Sequence, residues 1–459
     1  MSSARPVAAA SQRVPLRTIA LYGLPAAPVY FTFMLTGVYL LKYSADVLLV
    51  APGVMGTLYG LSRLWDAFTD PIAGYLSDRT RTRLGRRRSW ILASALPIAL
   101  GFGMIWSPPL SLSGTSLAAW MGLGVFVYFT GTTIFSIPHE SLGAELSLDH
   151  HDRTRVFGVK TAVAQSGTLL SLGAMYLLIT AEDPRAMASR LVMLLAVAIP
   201  VLTILGISQV HERSEHQGRG AANLRAAFRD VLANPHAARL LLVFFVENFG
   251  TANLGLLTPF VMEYVLDMES LTPAFILLYF VPALAFIPLW IVLSRRVGKK
   301  KLWLFGLSTM TLAFSGLYFV GPGDVPLICV LGFLAGVGGG CGQVVGPSIQ
   351  ADVIDYDELR TGERKEGAYF AVWNFMRKSA YGVAAMIAGG LLSLVGFEAN
   401  AVQTQEVRTG MLVLFSFVPG ACLLGATLAF TRFQLDEEEH AEIRKELDAR
   451  ALARLSGSS

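Results

Sequence analysis

The chain has few charged residues. Asp, Glu, Lys and Arg make up 15% of its 459 residues, against about 25% in an ordinary soluble domain. Apolar residues make up 53%, and the mean hydropathy is +0.53. A water-soluble fold cannot cover that much apolar surface, so lipid must cover a large share of it. The composition therefore excludes a soluble protein and predicts one with several membrane spans.

Other features that are scarce or missing exclude further classes. The three cysteines, Cys329, Cys341 and Cys422, lie in apolar runs without metal-ligand spacing, which argues against a disulfide framework or a zinc site. The net charge of +4 is small and spread along the chain, which argues against nucleic-acid binding. No Walker A sequence occurs, and the glycine-rich run 332–342 lies inside an apolar segment, so nucleotide binding is not expected. Because no nucleophile–base or metal constellation is present either, we predict no enzyme activity and no cofactor.

Long apolar runs are what the chain has in abundance. A helix needs about 20 residues to cross roughly 30 Å of hydrocarbon. Runs of that length predict an all-α polytopic membrane protein with twelve spans. They lie near residues 18–43, 52–77, 89–108, 117–142, 156–180, 188–210, 237–265, 272–294, 301–320, 325–350, 367–396 and 409–431.

The basic residues predict the orientation of these spans. Thirty of the 37 Lys and Arg residues fall in the termini and loops of one face, and three lie within spans. The opposite face has only Lys42, Arg185, Arg190 and Arg408. By the positive-inside rule both termini are cytoplasmic, in a plasma (inner) membrane protein.

The two halves of the chain repeat each other. Residues 74–88 after the second predicted span are echoed by 293–301 after the eighth, and residues 144–146 by 351–353, each about 210 positions later. Two repeated six-helix bundles favour a transporter whose substrate binds at the bundle interface. A receptor-like sensor, a lipid scramblase or a membrane-embedded enzyme remain the alternatives. The predicted units are an N-terminal bundle at 1–210, a cytoplasmic linker at 211–236, a C-terminal bundle at 237–432 and a charged, solvated helical tail at 433–459.

Charges within the second predicted span indicate a functional site, because an ionised group in hydrocarbon costs several kcal/mol. Asp66 and Asp70 are four residues apart and so share one helix face, about 6 Å from each other. Arg63 precedes Asp66 by three residues on that face. The two carboxylates could bind Na⁺ through their oxygens or share a proton. A purely architectural Arg63–Asp66 ion pair is the alternative.

The eleventh predicted span carries Arg377 and Lys378 deep in its apolar run, near Trp373 and Asn374. Lys378 could pair across the interface with the carboxylates of the second span and be released when a cation binds. Arg377 could instead extend toward the cytoplasm, as long basic side chains do.

Further polar residues lie within other spans. Thr133 and Ser136 in the fourth span either face the cavity or bond back to their own helix. His139 and Glu140 lie nearer the cytoplasm, as a gate or a relay. Lys160 and Glu247 either face the cavity or make local contacts between helices.

Three stretches together resemble one transporter family. They are 63–79 followed by Gly-Arg-Arg-Arg at 85–88, 137–146 with Arg153-Thr-Arg155, and 351–362 leading to Lys378. They resemble the glycoside–pentoside–hexuronide:cation symporters of the major facilitator superfamily, and the likeness covers nearly the whole chain. The resemblance implies the major facilitator fold.

The resemblance also implies roles for particular residues. Asp66, Asp70, Thr69 and Thr133 match cation-binding positions, and Lys378 matches a lysine of the eleventh helix. Tyr30 and Ser136 stand where the melibiose carriers of the family have sugar-binding aspartates. The predicted substrate cavity comprises Tyr30, Arg63, Ser136, Lys160, Glu247, Trp373, Asn374 and Lys378. The predicted cytoplasmic gate comprises Asp78, Arg79, Glu140, Arg153, Asp352 and Asp355.

The expected function is cation-coupled symport of a small solute, such as a sugar or glycoside, by alternating access. The coupling ion is Na⁺ or H⁺, and no other metal or cofactor is expected. The expected partners are the solute, the cation and the lipid bilayer around a monomer. A transporter or scramblase of lysolipids or other amphiphiles with the same fold, or a non-transporting membrane sensor, is the alternative.

Overall fold

The computed structural model describes residues 13–146, 150–208, 210, 228–229, 231–363, 365–435 and 437–456, and every regular element among them is a helix. The N-terminal helices are α1 Leu16–Gly23, α2 Ala26–Asp46, α3 Pro52–Arg79, α4 Arg86–Trp106, α5 Gly114–Leu146, α6 His150–Ile179 and α7 Pro184–Ser208. The C-terminal helices are α8 Pro235–Tyr264, α9 Thr272–Ala285, α10 Ile287–Val297, α11 Lys299–Gly316, α12 Val325–Thr361, α13 Glu366–Leu394, α14 Gln405–Leu412, α15 Val418–Thr431 and α16 Glu437–Ser456. Most of the predicted linker, residues 211–227, lies outside the described part of the chain.

A helix or a broken helix occupies each of the twelve predicted segments. The first segment breaks between α1 and α2 at Leu24 and Pro25, and the eighth bends by 48° between α9 and α10, where Pro288 cannot donate a backbone hydrogen bond. The last segment passes through a π-helical stretch, Val413–Phe417, which joins α14 to α15.

Most of these helices are apolar enough to cross a bilayer. Within the described residues, nine helices, or ten if α9 and α10 form one span, have the necessary length and composition. The long helices α3 and α13 are not among them, and both carry charged residues in their interiors. Large apolar side chains face outward around the molecule, as Leu194 (63% exposed) and Leu312 (72%) do. Because lipid must cover these side chains, the chain is an integral membrane protein. That all twelve segments cross the bilayer stays a prediction.

The helices pack mainly within their own half. In the N-terminal half α4 packs on α5 and α7, and α2 packs on α6. In the C-terminal half α12 packs on α9 and α11, and α8 packs on α13 and α15. The main contact between the halves pairs α3 with α13, and a smaller one pairs α2 with α8. The helices that carry the buried charges therefore meet at the boundary between the halves.

Glycines let α3 and α13 approach each other closely. A Cβ atom at Gly56 would lie 2.4 Å from the carbonyl oxygen of Ala385, and one at Gly389 would lie 2.2 Å from the carbonyl oxygen of Pro52. Small residues allow such backbone approach in membrane helices. The two halves are thus in tight contact along the first part of α3.

Two features of the C-terminal half go beyond its predicted spans. Helix α12 contains the tenth predicted span and continues past it to Thr361, since backbone hydrogen bonding does not stop where the sequence becomes polar. The charged tail was expected to be solvated, whereas α16 packs on α12 and leaves Ile443 only 5% exposed. The tail is therefore docked on the C-terminal half.

Candidate functional site

The face of α3 that carries Arg63, Asp66 and Asp70 forms the base of the site. Arg63 Nη1 donates a hydrogen bond of 2.9 Å to Asp66 Oδ2, and Asp66 is only 1% exposed. The Arg63 guanidinium lies over the ring of Phe129, 4.4 Å from its centroid, and over Phe33 at 5.5 Å. Arg63, expected to line a cavity, is instead held inside the helix packing with 5% exposure.

Lys378 reaches these carboxylates from the other half of the protein. Its Nζ lies 2.7 Å from both carboxylate oxygens of Asp70 and 3.3 Å from Asp66 Oδ2. The Thr133 hydroxyl of α5 donates to Asp70 Oδ1 at 2.9 Å and to Asp66 Oδ1 at 3.4 Å. We call Asp66, Asp70, Thr133 and Lys378 the carboxylate cluster. It joins α3 and α5 of one half to α13 of the other.

The cluster is electrically balanced and partly open. Two carboxylates face two cations, Arg63 and Lys378, so each negative charge has a positive partner. The Asp70 side chain is 17% exposed while that of Asp66 is 1% exposed, so water or an ion reaches the cluster from the Asp70 side. Thr69, a predicted cation ligand, donates its hydroxyl to the Trp65 carbonyl of its own helix at 3.4 Å, and its part in a cation site stays a prediction.

The other predicted cavity residues are scattered. Lys160 Nζ lies 3.5 Å from Glu140 Oε1, within the N-terminal half. Glu247 is 8% exposed, and its carboxylate fills the space beside Gly342, inside the C-terminal half. The further positions are the half-buried Tyr30 and Ser136, the buried Trp373, and Asn374, which accepts a hydrogen bond from Arg377. Glu247 therefore does not join the carboxylate cluster.

Asp78, one of the predicted gate residues of the N-terminal half, belongs to an ionic cluster with Arg87 and Glu145. Arg87 donates to Asp78 at 3.2 Å and lies 2.9 Å from Glu145 Oε1. The Arg79 guanidinium stacks on the Tyr75 ring at 4.1 Å. The side chain of Arg153, also predicted for the gate, lies outside the described part of the chain.

Gate residues of the C-terminal half form a matching cluster. Lys299 Nζ lies 2.7 Å from Asp352 Oδ2, and His440 and Arg444 of α16 lie 3.1 Å and 3.6 Å from Asp355 Oδ2. Asp352 occupies the repeat position of Glu145. Both acids pair with basic residues in the first turn of a helix, Glu145 with Arg86 and Arg87 of α4 and Asp352 with Lys299 of α11. The sequence repeat already carried the signal for Glu145, which the predicted gate omitted.

Lys42 lies at the opposite end of the molecule and was not predicted to have a role. It is 2% exposed, forms ion pairs with Asp46 and Glu263, and lies 3.7 Å from Glu269 Oε1. Its Nζ also lies 5.0 Å from the centre of the Tyr264 ring. We call this group the outer cluster. It ties α2 to α8 and closes the space between the halves at that end.

A cation bound at the carboxylate cluster would be held by oxygen ligands. Among the described residues, no group of three or more His, Cys, Asp or Glu side chains could hold a metal ion. The carboxylate cluster instead offers two carboxylates and one hydroxyl, which are hard oxygen ligands. Such ligands suit Na⁺, and either carboxylate could take a proton.

Comparison with known proteins identifies the family. Residues 21–437 match the family model described as MFS/sugar transport protein. A glucuronide carrier protein homolog of Escherichia coli K12 is 27% identical, over 96% of this chain and 97% of that protein. A sodium-dependent lysophosphatidylcholine symporter 1-A of Danio rerio is 24% identical, over 93% and 87%. The solved D-xylose-proton symporter is 16% identical with a TM-score of 0.65, and covers 92% of this chain and 97% of its own.

The chain belongs to the MFS/sugar transport family, because the family model matches residues 21–437, which is most of its length. It is a membrane transporter with the major facilitator fold, and not an enzyme. The predicted resemblance is thereby confirmed. Several relatives are named symporters, which implies a small-molecule substrate and a coupling cation.

Proposed function

We propose that this protein moves a small solute, a sugar or glycoside, across the membrane together with Na⁺ or H⁺ by alternating access. One observation carries the proposal: a lysine of one half lies between two carboxylates of the other half, beside a hydroxyl. A cation bound by these groups would lie at the boundary between the halves, which must rearrange during transport. The relatives named as a glucuronide carrier and as a sodium-dependent symporter support it.

Cation binding and movement of the halves are coupled through Lys378. A cation held by Asp66, Asp70 and Thr133 competes with the Lys378 ammonium for the same oxygens. Without the cation, Lys378 ties α13 to α3; with it, the tie is weakened and Lys378 is free to meet the solute. The cation thereby shifts the equilibrium between two conformations, and the size of the shift is set by how much its affinity differs between them.

The remaining parts of the transporter follow from the sequence pattern. Residues 1–210 and 237–432 form the two moving bundles of a monomer in the inner membrane, with a linker at 211–236 and a tail at 433–459. Both termini face the cytoplasm, where basic residues are concentrated. The cytoplasmic gate comprises Asp78, Arg79, Glu140, Arg153, Asp352 and Asp355, and the outer cluster closes the other side.

Uptake into proteoliposomes tests the function. We expect the purified full-length protein to concentrate 4-nitrophenyl β-D-glucoside or 4-nitrophenyl β-D-glucuronide under an inward Na⁺ or H⁺ gradient. Monensin or a protonophore, respectively, should abolish the concentration. Filling only to equilibrium under both gradients would contradict symport, and gradient-independent exchange of lysophosphatidylcholine would indicate a scramblase.

Thr133 offers a finer test with its own neighbour as control. Thr133→Val keeps the shape of the side chain and removes the hydroxyl that contacts Asp66 and Asp70. Loss of one hydrogen-bonding ligand should weaken cation affinity roughly 3- to 10-fold. Thr132→Val should leave it unchanged, because within the described part of the chain the Thr132 hydroxyl bonds to the Phe129 carbonyl alone, at 2.8 Å. The measurement is the cation concentration that gives half-maximal uptake. Equal values for both variants would remove Thr133 from the cation site.

A further inference from the structure

Arg377 lies beside the carboxylate cluster, and its own positive charge is not balanced by a carboxylate of the described residues. It precedes Lys378 in the chain, yet no carboxylate of the described residues lies within 4.0 Å of its guanidinium. Its nitrogen Nη2 instead donates to the neutral Asn374 side-chain oxygen at 2.7 Å. Since Arg63 and Lys378 are already paired with Asp66 and Asp70, Arg377 leaves the site with a net positive charge.

The position of Arg377 on α13 shows which way it faces. Residues spaced by three and four positions share a helix face, and one such stripe contains Phe370, Arg377, Tyr381, Ala384 and Ala388. Ala384 and Ala388 are fully buried, so this face points into the protein. The lipid side is elsewhere, at residues such as Gly390, where an added Cβ would meet nothing within 4 Å.

The same inward face is open at its other end. Phe370 is 57% exposed and Arg377 is also exposed, although they share the stripe of the buried alanines. Exposure on this inward-pointing face indicates an open cavity between the halves in front of Phe370 and Arg377. The outer cluster closes the opposite end of the protein, so this cavity opens toward the end that carries the gate residues.

Arg377 lies at the level of the carboxylate cluster in this cavity. It directly precedes Lys378 on α13, and one residue corresponds to a rise of about 1.5 Å along the helix axis. A solute that enters the cavity therefore meets Arg377 next to the cation site. The guanidinium keeps donors free, since a single hydrogen bond to Asn374 is its described contact.

We propose that Arg377 binds an anionic group of the transported solute, a carboxylate or a phosphate, and so makes the transporter selective for acidic sugars. This inference rests on the proposed function. A guanidinium presents two parallel donors that match the two oxygens of such groups. Asn374 holds the side chain in place without neutralising it. A neutral glycoside would leave the positive charge of Arg377 uncompensated.

Binding of matched probes to the purified full-length protein tests the proposal. 4-Nitrophenyl β-D-glucuronide and 4-nitrophenyl β-D-glucoside differ only at C6, and glucose 6-phosphate replaces the carboxylate by a phosphate. We expect at least one anion to bind roughly 10-fold or more tightly than the glucoside. Arg377→Gln should weaken anion binding roughly 10- to 100-fold and affect glucoside binding much less. The preferred anion tells carboxylate from phosphate.

Two further variants separate the role of Arg377 from a general effect of charge. Arg377→Lys should retain part of the anion preference, because it keeps the positive charge. The rest should be lost, because lysine lacks the two parallel donors of the guanidinium. Arg190→Gln removes an exposed arginine elsewhere on the surface and should change nothing. Equal anion affinity in wild type and Arg377→Gln, equal wild-type affinity for glucoside and glucuronide, or no binding of either anion would each overturn the proposal. Gradient-driven uptake of the glucoside in any of these cases would leave the proposed function standing. If no probe is taken up against its gradient, both the proposed symport and the proposed role of Arg377 are contradicted.

Discussion

Asp70→Asn should reduce cation-driven uptake by more than about 100-fold while the protein stays folded. The substitution keeps the size of the side chain but removes a charge that contacts both Lys378 and Thr133. Hydrogen bonds to charged groups contribute about 1.5–3 kcal/mol each, and about 2.7 kcal/mol corresponds to 100-fold in affinity. A cation that loses one of two carboxylate ligands should therefore no longer bind at working concentrations. The measurement is initial uptake in proteoliposomes at a saturating gradient.

A double variant separates loss of the cation site from the cost of an unpaired lysine. Breaking one side of a buried ion pair leaves the other charge uncompensated, which is destabilising in itself. Adding Lys378→Gln to Asp70→Asn removes both charges and should recover thermal stability, but not cation-driven uptake. Asp448→Asn, on the exposed surface of α16, is the control for removing one carboxylate. Undiminished gradient-driven uptake in Asp70→Asn would contradict the assignment of the cation site.

The residues of the carboxylate cluster could be recognised from the sequence because their signal is local. Asp66 and Asp70 are spaced for one helix face, and a charge inside an apolar run is costly enough to stand out. Lys378 stands out in the same way, and the structure places it against both carboxylates. The side-chain direction of Thr69 was not predictable, since a threonine in a helix can equally bond to its own backbone, as Thr69 does.

Of the outer cluster only the Lys42–Asp46 pair, four residues apart, is local, and its contacts between the halves could not be predicted because those partners are far apart in the chain. Lys42 appears in the sequence as one of a few basic residues on the outer face, and its partners Glu263 and Glu269 lie more than 200 positions away. Only the packing of α2 on α8 brings them together. The direction of Glu247 was equally hidden, because α8 is apolar around its circumference and so has no face that marks the cavity.

The close contact between α3 and α13 depends on glycine, and the neighbouring residues Gly389 and Gly390 provide a matched test of this dependence. Gly389→Val should reduce uptake to roughly 1% of wild type, whereas Gly390→Val should leave it nearly unchanged. A Cβ at Gly389 would lie 2.2 Å from the Pro52 carbonyl oxygen and 3.1 Å from the Gly56 Cα atom, so the two backbones must separate. At Gly390 the same atom would meet nothing within 4 Å. Both substitutions add the same side chain to the same turn of α13, so helix propensity and hydropathy change equally.

The predicted loss arises because transport must pass through the conformation seen here. Overpacking typically costs about 1–3 kcal/mol, and about 2.7 kcal/mol shifts a two-state population about 100-fold. Gly389→Val should therefore favour conformations in which α3 and α13 are apart on the side of the outer cluster. A cysteine introduced at Val38, which is 9% exposed and lies against Gly255 of α8, should then react with a membrane-impermeant maleimide faster in Gly389→Val than in Gly390→Val. Equal uptake and equal labelling in the two variants would show that transport does not need the close approach of α3 and α13.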